Sequence, residues 1–124
     1  MSISDYLELK LLDAVFSSTA YDNNGGVHVK LHTGDPGEAC TANPATETTR
    51  QEATFTPAAS GATSNDADID WTSVAADETI SFISLWDDPS AGNALWSGPL
   101  VPSKTLNVGD DFTIATGDLD ISLA

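Results

Sequence analysis

Residues 80–100, ISFISLWDDPSAGNALWSGPL, carry the strongest structural signal in the chain. The first seven residues are rich in β-branched and aromatic side chains, and the apolar ones fall on both alternation sets, which is typical of a strand covered on both faces. The following DDPSAGN contains proline, glycine and asparagine, which suit a turn, and an apolar run resumes at residues 94–97. The stretch predicts a β-hairpin at the centre of the core, with Phe82, Leu85 and Trp86 mostly buried.

Further strands are predicted on both sides of the hairpin. Downstream, apolar runs are separated by the turn sequences Val-Gly-Asp-Asp and Thr-Gly-Asp, and upstream they are separated by polar loops. The additional strands are expected at residues 27–33, 54–57, 69–71, 104–108, 112–115 and 119–123. About seven short strands with regular turn signals favour a mainly β fold, an antiparallel two-sheet sandwich of the jelly-roll type.

One segment, residues 4–18, has the periodicity of an amphipathic helix. Its apolar stripe consists of Leu7, Leu11, Leu12, Val15 and Phe16. Ser4 is the expected N-cap, and acidic residues in the first turn complement the helix dipole. We expect this N-terminal helix to pack its stripe on the sheet; the alternative is that the stripe docks onto a neighbouring protein.

Length and composition limit the classes of protein to which this chain can belong. The 124 residues suffice for one core, so we expect a single domain over residues 1–124. No apolar run approaches the ~20 residues that cross a bilayer. Asp5 and Glu8 lie where a signal peptide would be basic and then apolar, which argues against export by that route. Cys40 is the only cysteine, which excludes an intrachain disulfide and a multi-cysteine metal site.

The charge balance is the most unusual global feature, with 19 acidic residues against 4 basic ones and a net charge of -15. The basic residues, Lys10, Lys30, Arg50 and Lys104, are scattered along the chain. We therefore expect neither nucleic acid nor an anionic membrane as a partner, because both require clustered cations. The acidity has two interpretations, an ordinary soluble surface or adaptation to a high-salt cytoplasm that screens like charges, and we favour the second.

Two histidines, His28 and His32, share one face of the strand expected at residues 27–33, together with Lys30. We expect this face to be exposed and the opposite, apolar face to be buried. The histidines lie two side-chain repeats apart, too far to bind one metal ion without a bend. No motif places a nucleophile or carboxylate beside them, so the sequence predicts no catalytic residues and no cofactor.

The weak candidates for an ion site are Asp66, Asp68 and Asp70, which form a D-x-D-x-D pattern. This pattern matches the first three ligand positions of a calcium-binding loop, but Trp71 occupies the position that needs glycine and Asp77 the position that needs a bidentate glutamate. We interpret the three carboxylates as a solvated strand face, with a calcium or sodium ion as the alternative.

The segment between the first two strands reads as a turn followed by a loop. Thr-Gly-Asp-Pro-Gly at residues 33–37 has turn chemistry, and the small, polar residues 38–48 predict an exposed loop that carries contacts. Arg50, the only arginine, is expected to anchor a carboxylate within or between subunits.

Four segments in this order resemble a family of small tailed-virus virion proteins, usually labelled tail-fibre-like or head-decorating. They are LHTGDPGE at residues 31–38, TRQEATFTPAASG at residues 49–61, LWDDPSAGNALWSGPL at residues 85–100 and SKTLNVGDDFTIATGDLDISL at residues 103–123. The resemblance covers nearly the whole chain. Because its motifs are turns and strands, it implies a fold and an assembly role rather than any chemistry.

The resemblance implies a non-enzymatic structural protein on the particle surface, either a capsid decoration or turret or a tail-fibre-type subunit of a bacteriophage or haloarchaeal virus. Its expected partners are copies of itself, in closed rings of three or five, and the major capsid protein or tail proteins. It would be assembled in the host cytoplasm. Two alternatives remain: a carbohydrate- or receptor-binding module with Trp86 or Trp96 as an exposed stacking platform, and a glycan-processing enzyme subunit that uses a carboxylate pair.

Overall fold

The computed structural model describes residues 2–23 and 25–123. Within these ranges the chain is mainly β, with antiparallel sheets and one N-terminal helix. In chain order the elements are β1 (Ser2–Ile3), α1 (Asp5–Phe16), β2 (Val27–His32), β3 (Gln51–Ala53), β4 (Ala62–Ser64), β5 (Ile69–Trp71), β6 (Glu78–Trp86), β7 (Ala94–Leu106), β8 (Phe112–Ile114) and β9 (Asp120–Ser122).

The hairpin of β6 and β7 lies inside a five-stranded sheet with the strand order β1-β7-β6-β2-β3 and antiparallel neighbours. Leu85 of β6 pairs with Trp96 of β7, and residues 87–93 form the turn. Leu85 and Trp86 are buried, and Phe82 is half-buried. The predicted hairpin is confirmed, and with it the burial of Leu85 and Trp86.

Strand β7 is longer than expected, because residues 94–97 and 104–108, predicted as two strands, contribute to a single strand that ends at Leu106. Both parts pair with β6, but the register shifts between them. The shift leaves residues 100–103 outside the ladder, as in a bulge. Val101, at the tip of this bulge, is 83% exposed.

The layer expected as a second sheet consists of two antiparallel ribbons, β4–β9 and β5–β8, among the described residues. In the β5–β8 ribbon, Trp71 stacks on Phe112 with the ring centroids 5.6 Å apart. Both residues belong to the same buried cluster as Val29 and Leu31 of the five-stranded sheet. The core therefore lies between one face of that sheet and the ribbons, and the predicted mainly β, antiparallel fold is confirmed.

Asn65 joins the two ribbons through its buried side chain. The amide nitrogen donates to the carbonyls of Ala67 at 2.9 Å and Ala115 at 3.0 Å. The amide oxygen accepts from the main-chain N–H groups of Gly117 at 3.0 Å and Leu119 at 2.9 Å. One side chain thus bonds four main-chain groups on the segments that leave β4 and connect β8 to β9.

The prediction of an exposed histidine face on β2 is wrong. His28 is 9% exposed and His32 is fully buried. Residues 33–48 fold back along β2, where the N–H of Ala45 donates to the carbonyl of Leu31 at 3.1 Å. The segment predicted as an exposed loop is therefore fastened to the sheet, and Ala45 within it is buried. The alternation of apolar and polar residues in β2 correctly assigns the side chains to two faces of the strand, but it does not show that both faces are covered.

The N-terminal helix begins where predicted. Ser4 is its N-cap, since the Ser4 hydroxyl accepts from the N–H of Leu7 at 3.2 Å. The same hydroxyl donates to the carbonyl of Ala94 at 2.5 Å, and the Ser4 N–H donates to the carbonyl of Leu95 at 2.9 Å. These bonds fix the start of α1 to the start of β7, beside the central hairpin.

The expectation that the helix packs its apolar stripe on the sheet holds only for the start of the stripe. Of the residues of α1, all of which the structure describes, none is buried. Tyr6 and Leu7 are partly buried against the core, whereas Leu12, Val15 and Phe16 are more than half exposed. The helix touches the body mainly through its first turn, so its later turns have no sheet to pack against.

Candidate assembly surface

Among the described residues, the large apolar side chains that are exposed are concentrated on α1. They are Leu9 at 64%, Leu12 at 55%, Val15 at 71% and Phe16 at 80% exposure, and we call these four residues the apolar helix face. With 3.6 residues per turn, Leu9, Leu12 and Phe16 lie on the side of the helix roughly opposite Leu7, which packs against the core, and Val15 lies between the two sides. An apolar patch of this kind marks an interaction site more often than a solvated surface.

Charged side chains border the part of this face formed by Leu9, Leu12 and Phe16. Glu8 lies on one side of these three residues and Asp13 on the other, by helical geometry, and both are exposed. Lys10 turns toward the body, where its ammonium group lies 5.5 Å from the centre of the Tyr6 ring. The surface of α1 that points away from the body is therefore apolar with acidic borders.

The base of α1 rests on a pair of tyrosines. Tyr6 makes an edge-on contact with Tyr21, with the ring centroids 6.5 Å apart. Burial raises the pKa of Tyr21 to about 12, and the nearby Tyr6 and Asp87 add to this effect. Tyr21 thus remains neutral at physiological pH and acts as an aromatic support for the helix.

The turn at the tip of the central hairpin is held by Arg50. Its Nη1 donates to the carbonyls of Asp88 and Ala91, both at 2.8 Å, while the guanidinium lies 4.1 Å from the centre of the Trp86 ring. Burial lowers the pKa of Arg50, and the carboxylates of Asp88 and Asp87 oppose this shift. The prediction that Arg50 anchors a carboxylate within its own subunit therefore needs correction, since its hydrogen-bond acceptors are main-chain carbonyls of the turn. A carboxylate of another subunit stays a prediction.

A buried hydrogen-bond chain connects Trp86 to the folded-back segment. Trp86 Nε1 donates to Ser84 Oγ at 2.9 Å, Ser84 Oγ lies 2.7 Å from His32 Nε2, and His32 Nδ1 lies 2.9 Å from the carbonyl of Ala42. Because a carbonyl only accepts, Nδ1 carries the proton and Nε2 accepts from the serine hydroxyl. Burial lowers the pKa of His32, which agrees with this neutral tautomer. Ser84 and His32 are both fully buried, so the pair holds the structure together and lies out of reach of a substrate.

The three aspartates of the D-x-D-x-D pattern are directed to different partners. The carboxylate of Asp66 accepts from the hydroxyl of Thr54. Asp70 accepts from the hydroxyl of Thr113 at 2.5 Å. Asp68 accepts from the N–H and the hydroxyl of Thr116 at 2.8 and 2.9 Å, and these bonds lower its pKa. Across residues 2–23 and 25–123, no three His, Cys, Asp or Glu side chains are gathered as a metal site.

The surface grooves do not expose the tryptophans. One groove of about 510 Å³ follows the β7 bulge and another of about 470 Å³ lies beside the base of α1, and both are lined in part by Trp96. Trp96 is nevertheless 5% exposed and Trp86 9% exposed. The stacking platform expected for a carbohydrate-binding module is therefore not formed by these two residues. In the part of the chain that the structure describes, no helix is long and apolar enough to cross a membrane.

Comparison with known families adds a decisive observation. The family model described as podophage GP4 fiber I protein gp80 matches residues 2–122. The chain belongs to this fiber I family. None of the curated proteins matches it. Family membership supports a tail-fibre-like structural protein of the virion, in agreement with the resemblance carried by the strand and turn motifs.

The match to the fiber I family spans every element of the fold, from β1 to β9, and includes the apolar helix face. The periodicity of the sequence identifies three of the four residues of this face but assigns them to the core and omits Leu9. The signal that finds Leu9 is the spacing of Leu9, Leu12 and Phe16 at intervals of three and four residues, which places them on one face of a helix.

Proposed function

We propose that this chain is a non-enzymatic, tail-fibre-type subunit on the surface of a tailed virus, present in several identical copies and joined to other virion proteins. The observation that carries the proposal is the apolar helix face on a chain of the fiber I family. A free monomer would expose this face to water, whereas a subunit of an assembly would bury it.

The charge of the chain supports a high-salt setting for this role. With a net charge of -15, identical copies repel each other in dilute buffer. At ~1 M salt the screening length falls to about 3 Å, which removes most of this repulsion between exposed carboxylates. We therefore propose assembly in the cytoplasm of a high-salt host.

Localisation on purified particles tests the proposal. A cryo-EM map of intact virions, together with labelling by an antibody raised against residues 103–123, is expected to place several copies on fibres of the tail. Copies distributed over the capsid lattice would instead identify a decoration or turret protein. Absence of the chain from purified particles would refute the virion role altogether.

A further inference from the structure

We propose that Lys30 and Arg50 form a binding site for the carboxylate group of a small molecule. The site lies on the face of the five-stranded sheet that carries His28 and Trp86, next to the turn that Arg50 holds. It goes beyond the proposed function and does not depend on it, because both residues belong to the same chain.

Lys30 and Arg50 are like charges that the sheet brings side by side. The ladder between β2 and β3 ends with Val29 opposite Gln51, so the antiparallel register continues to Lys30 opposite residue 50. Both cations lie over the same ring, with Lys30 Nζ at 5.9 Å and the Arg50 guanidinium carbon at 4.1 Å from the centre of Trp86. Like charges opposite each other on neighbouring strands destabilise a sheet. Two of the four basic residues of the chain are thus placed where they repel each other.

Neither cation is hydrogen-bonded to a carboxylate among the residues that the structure describes. Lys30 Nζ has no hydrogen-bond acceptor there, and Arg50 bonds only the carbonyls of Asp88 and Ala91. Burial lowers the pKa of Lys30, and the neighbouring Arg50 lowers it further. The carboxylates of Asp88 and Asp87 act on Arg50 only through space, where they oppose the effect of burial on its pKa. A partly buried pair of cations without a bonded counter-ion is a favourable place for an anion.

The remaining donors of Arg50 have the geometry that a carboxylate requires. Nη1 is taken up by the turn, where it donates to two carbonyls, both at 2.8 Å. Nε and Nη2 have no acceptor in the described part of the chain, and their N–H groups lie in parallel along one edge of the guanidinium. Two parallel N–H donors match the two oxygens of a carboxylate. Because the turn already holds the guanidinium, this edge is oriented before an anion binds, and Lys30 adds a second positive charge.

The charge of the whole chain favours a small ligand over an acidic protein surface. With a net charge of -15, the chain repels a second copy of itself, so a carboxylate of that copy would approach against this repulsion. A small molecule brings one carboxylate without further negative charges. Contact with the Trp86 ring does not compete with binding, since attraction to a ring face acts on the charge and leaves the N–H groups at the guanidinium edge available.

The side-chain Nε–H resonance of Arg50 provides a direct test, because Arg50 is the only arginine and its signal is unambiguous. In NMR spectra of the full chain at about pH 6, where acetate is ionised and lysine is charged, potassium acetate replaces KCl at constant ionic strength. The resonance is expected to shift and to saturate with roughly millimolar affinity. Acetamide, which is neutral and has nearly the same shape, should cause no shift. Glucuronate identifies the source of the carboxylate: tighter binding than acetate indicates an acidic sugar, and equal binding indicates that the carboxylate alone is recognised.

Substitution of Lys30 tests whether the two cations act together. K30M keeps an unbranched side chain over Trp86 but removes the charge, and it should weaken acetate binding by about tenfold or more. K104Q is the matched control, because Lys104 is exposed on β7, and it should bind acetate like the wild type. Circular dichroism verifies that both variants are folded.

Three results would each overturn the proposal: a shift that grows with acetate without saturating, an equal shift with acetamide, or the same acetate affinity in K30M and the wild type. Inorganic phosphate is titrated in the same way, and tighter binding of phosphate than of acetate would overturn the assignment to a carboxylate. The comparison of acetate with acetamide on the wild type decides the case even if K30M does not fold. None of these results bears on the virion role, which is tested separately on particles.

Discussion

Replacing Asn65 with alanine should weaken the connection between the two ribbons. The substitution removes the hydrogen bonds to the carbonyls of Ala67 and Ala115 and the bond from the N–H of Leu119. The N–H of Gly117 keeps a partner, because it also donates to the main-chain carbonyl of residue 65 at 2.9 Å. The carbonyl of Ala115 also keeps a partner, because the N–H of Asp118 donates to it at 3.0 Å. Two main-chain groups, the carbonyl of Ala67 and the N–H of Leu119, are thus left without their partner. At about 1–1.5 kcal/mol each, the free energy of unfolding should fall by roughly 2–3 kcal/mol.

Urea unfolding followed by tryptophan fluorescence measures this loss, since the buried Trp71 reports on the packing of the β5–β8 ribbon. The melting temperature should fall by roughly 8–15 °C. N107A is the matched control, because Asn107 is exposed and its main-chain bond to Asp110 does not involve its side chain; it should change stability by less than about 0.5 kcal/mol. A loss below about 1 kcal/mol for N65A would show that water replaces the amide at this site and that the ribbons are not joined through it.

Three further predictions concern the turn, the buried histidine and the surface charge. G92A should destabilise the hairpin turn by more than about 1 kcal/mol in urea unfolding, because Gly92 has a φ of +76° and an added Cβ would lie 2.6 Å from the Cβ of Asp88; an unchanged midpoint would contradict this. Burial lowers the pKa of His32 in the folded protein below the usual histidine value of 6.5. As the pH falls below 6.5, the unfolded chain therefore binds a proton at His32 more readily than the folded protein does, and the free energy of unfolding should decrease. H32Q should lack this loss of stability at low pH, whereas H28Q should retain it. An equal change of the free energy of unfolding with pH in the two variants would refute the prediction. Thermal melts of the wild type should rise strongly from dilute buffer to molar KCl, and a flat dependence would count against adaptation to high salt.

The features that are predictable from the sequence are local ones. The central hairpin follows from β-branched residues on both sides of a proline- and glycine-containing turn, and the start of α1 follows from Ser4 and the acidic first turn. In each case the residues that determine the structure are neighbours along the chain. Such local signals do not depend on contacts with distant segments of the chain.

The features that the sequence does not reveal depend on distant segments. Alternation in β2 places His32 on a different face from Leu31, but it does not say that residues 33–48 return to cover that face. Likewise, the periodicity of the sequence identifies the apolar side of α1 but not the surface against which that side packs. Because an apolar stripe faces its own core in most small domains, sequence alone assigns the stripe there. The 80% exposure of Phe16 shows that no described part of the same chain covers the end of that stripe.

The positions of three of the four basic residues bear on how copies of this subunit could meet, if the proposed function is correct. Lys30 and Arg50 lie over the ring of Trp86 at 5.9 and 4.1 Å, and Lys10 lies over Tyr6. Three of the four cations are thus engaged with aromatic rings of their own subunit, which leaves few to pair with carboxylates of a neighbour. Contacts between identical copies cannot rely on salt bridges when the approaching surfaces carry 19 acidic residues each. Apolar contact is a source of attraction that does not depend on opposite charges, and among the described residues α1 carries most of the large apolar side chains that the fold leaves exposed.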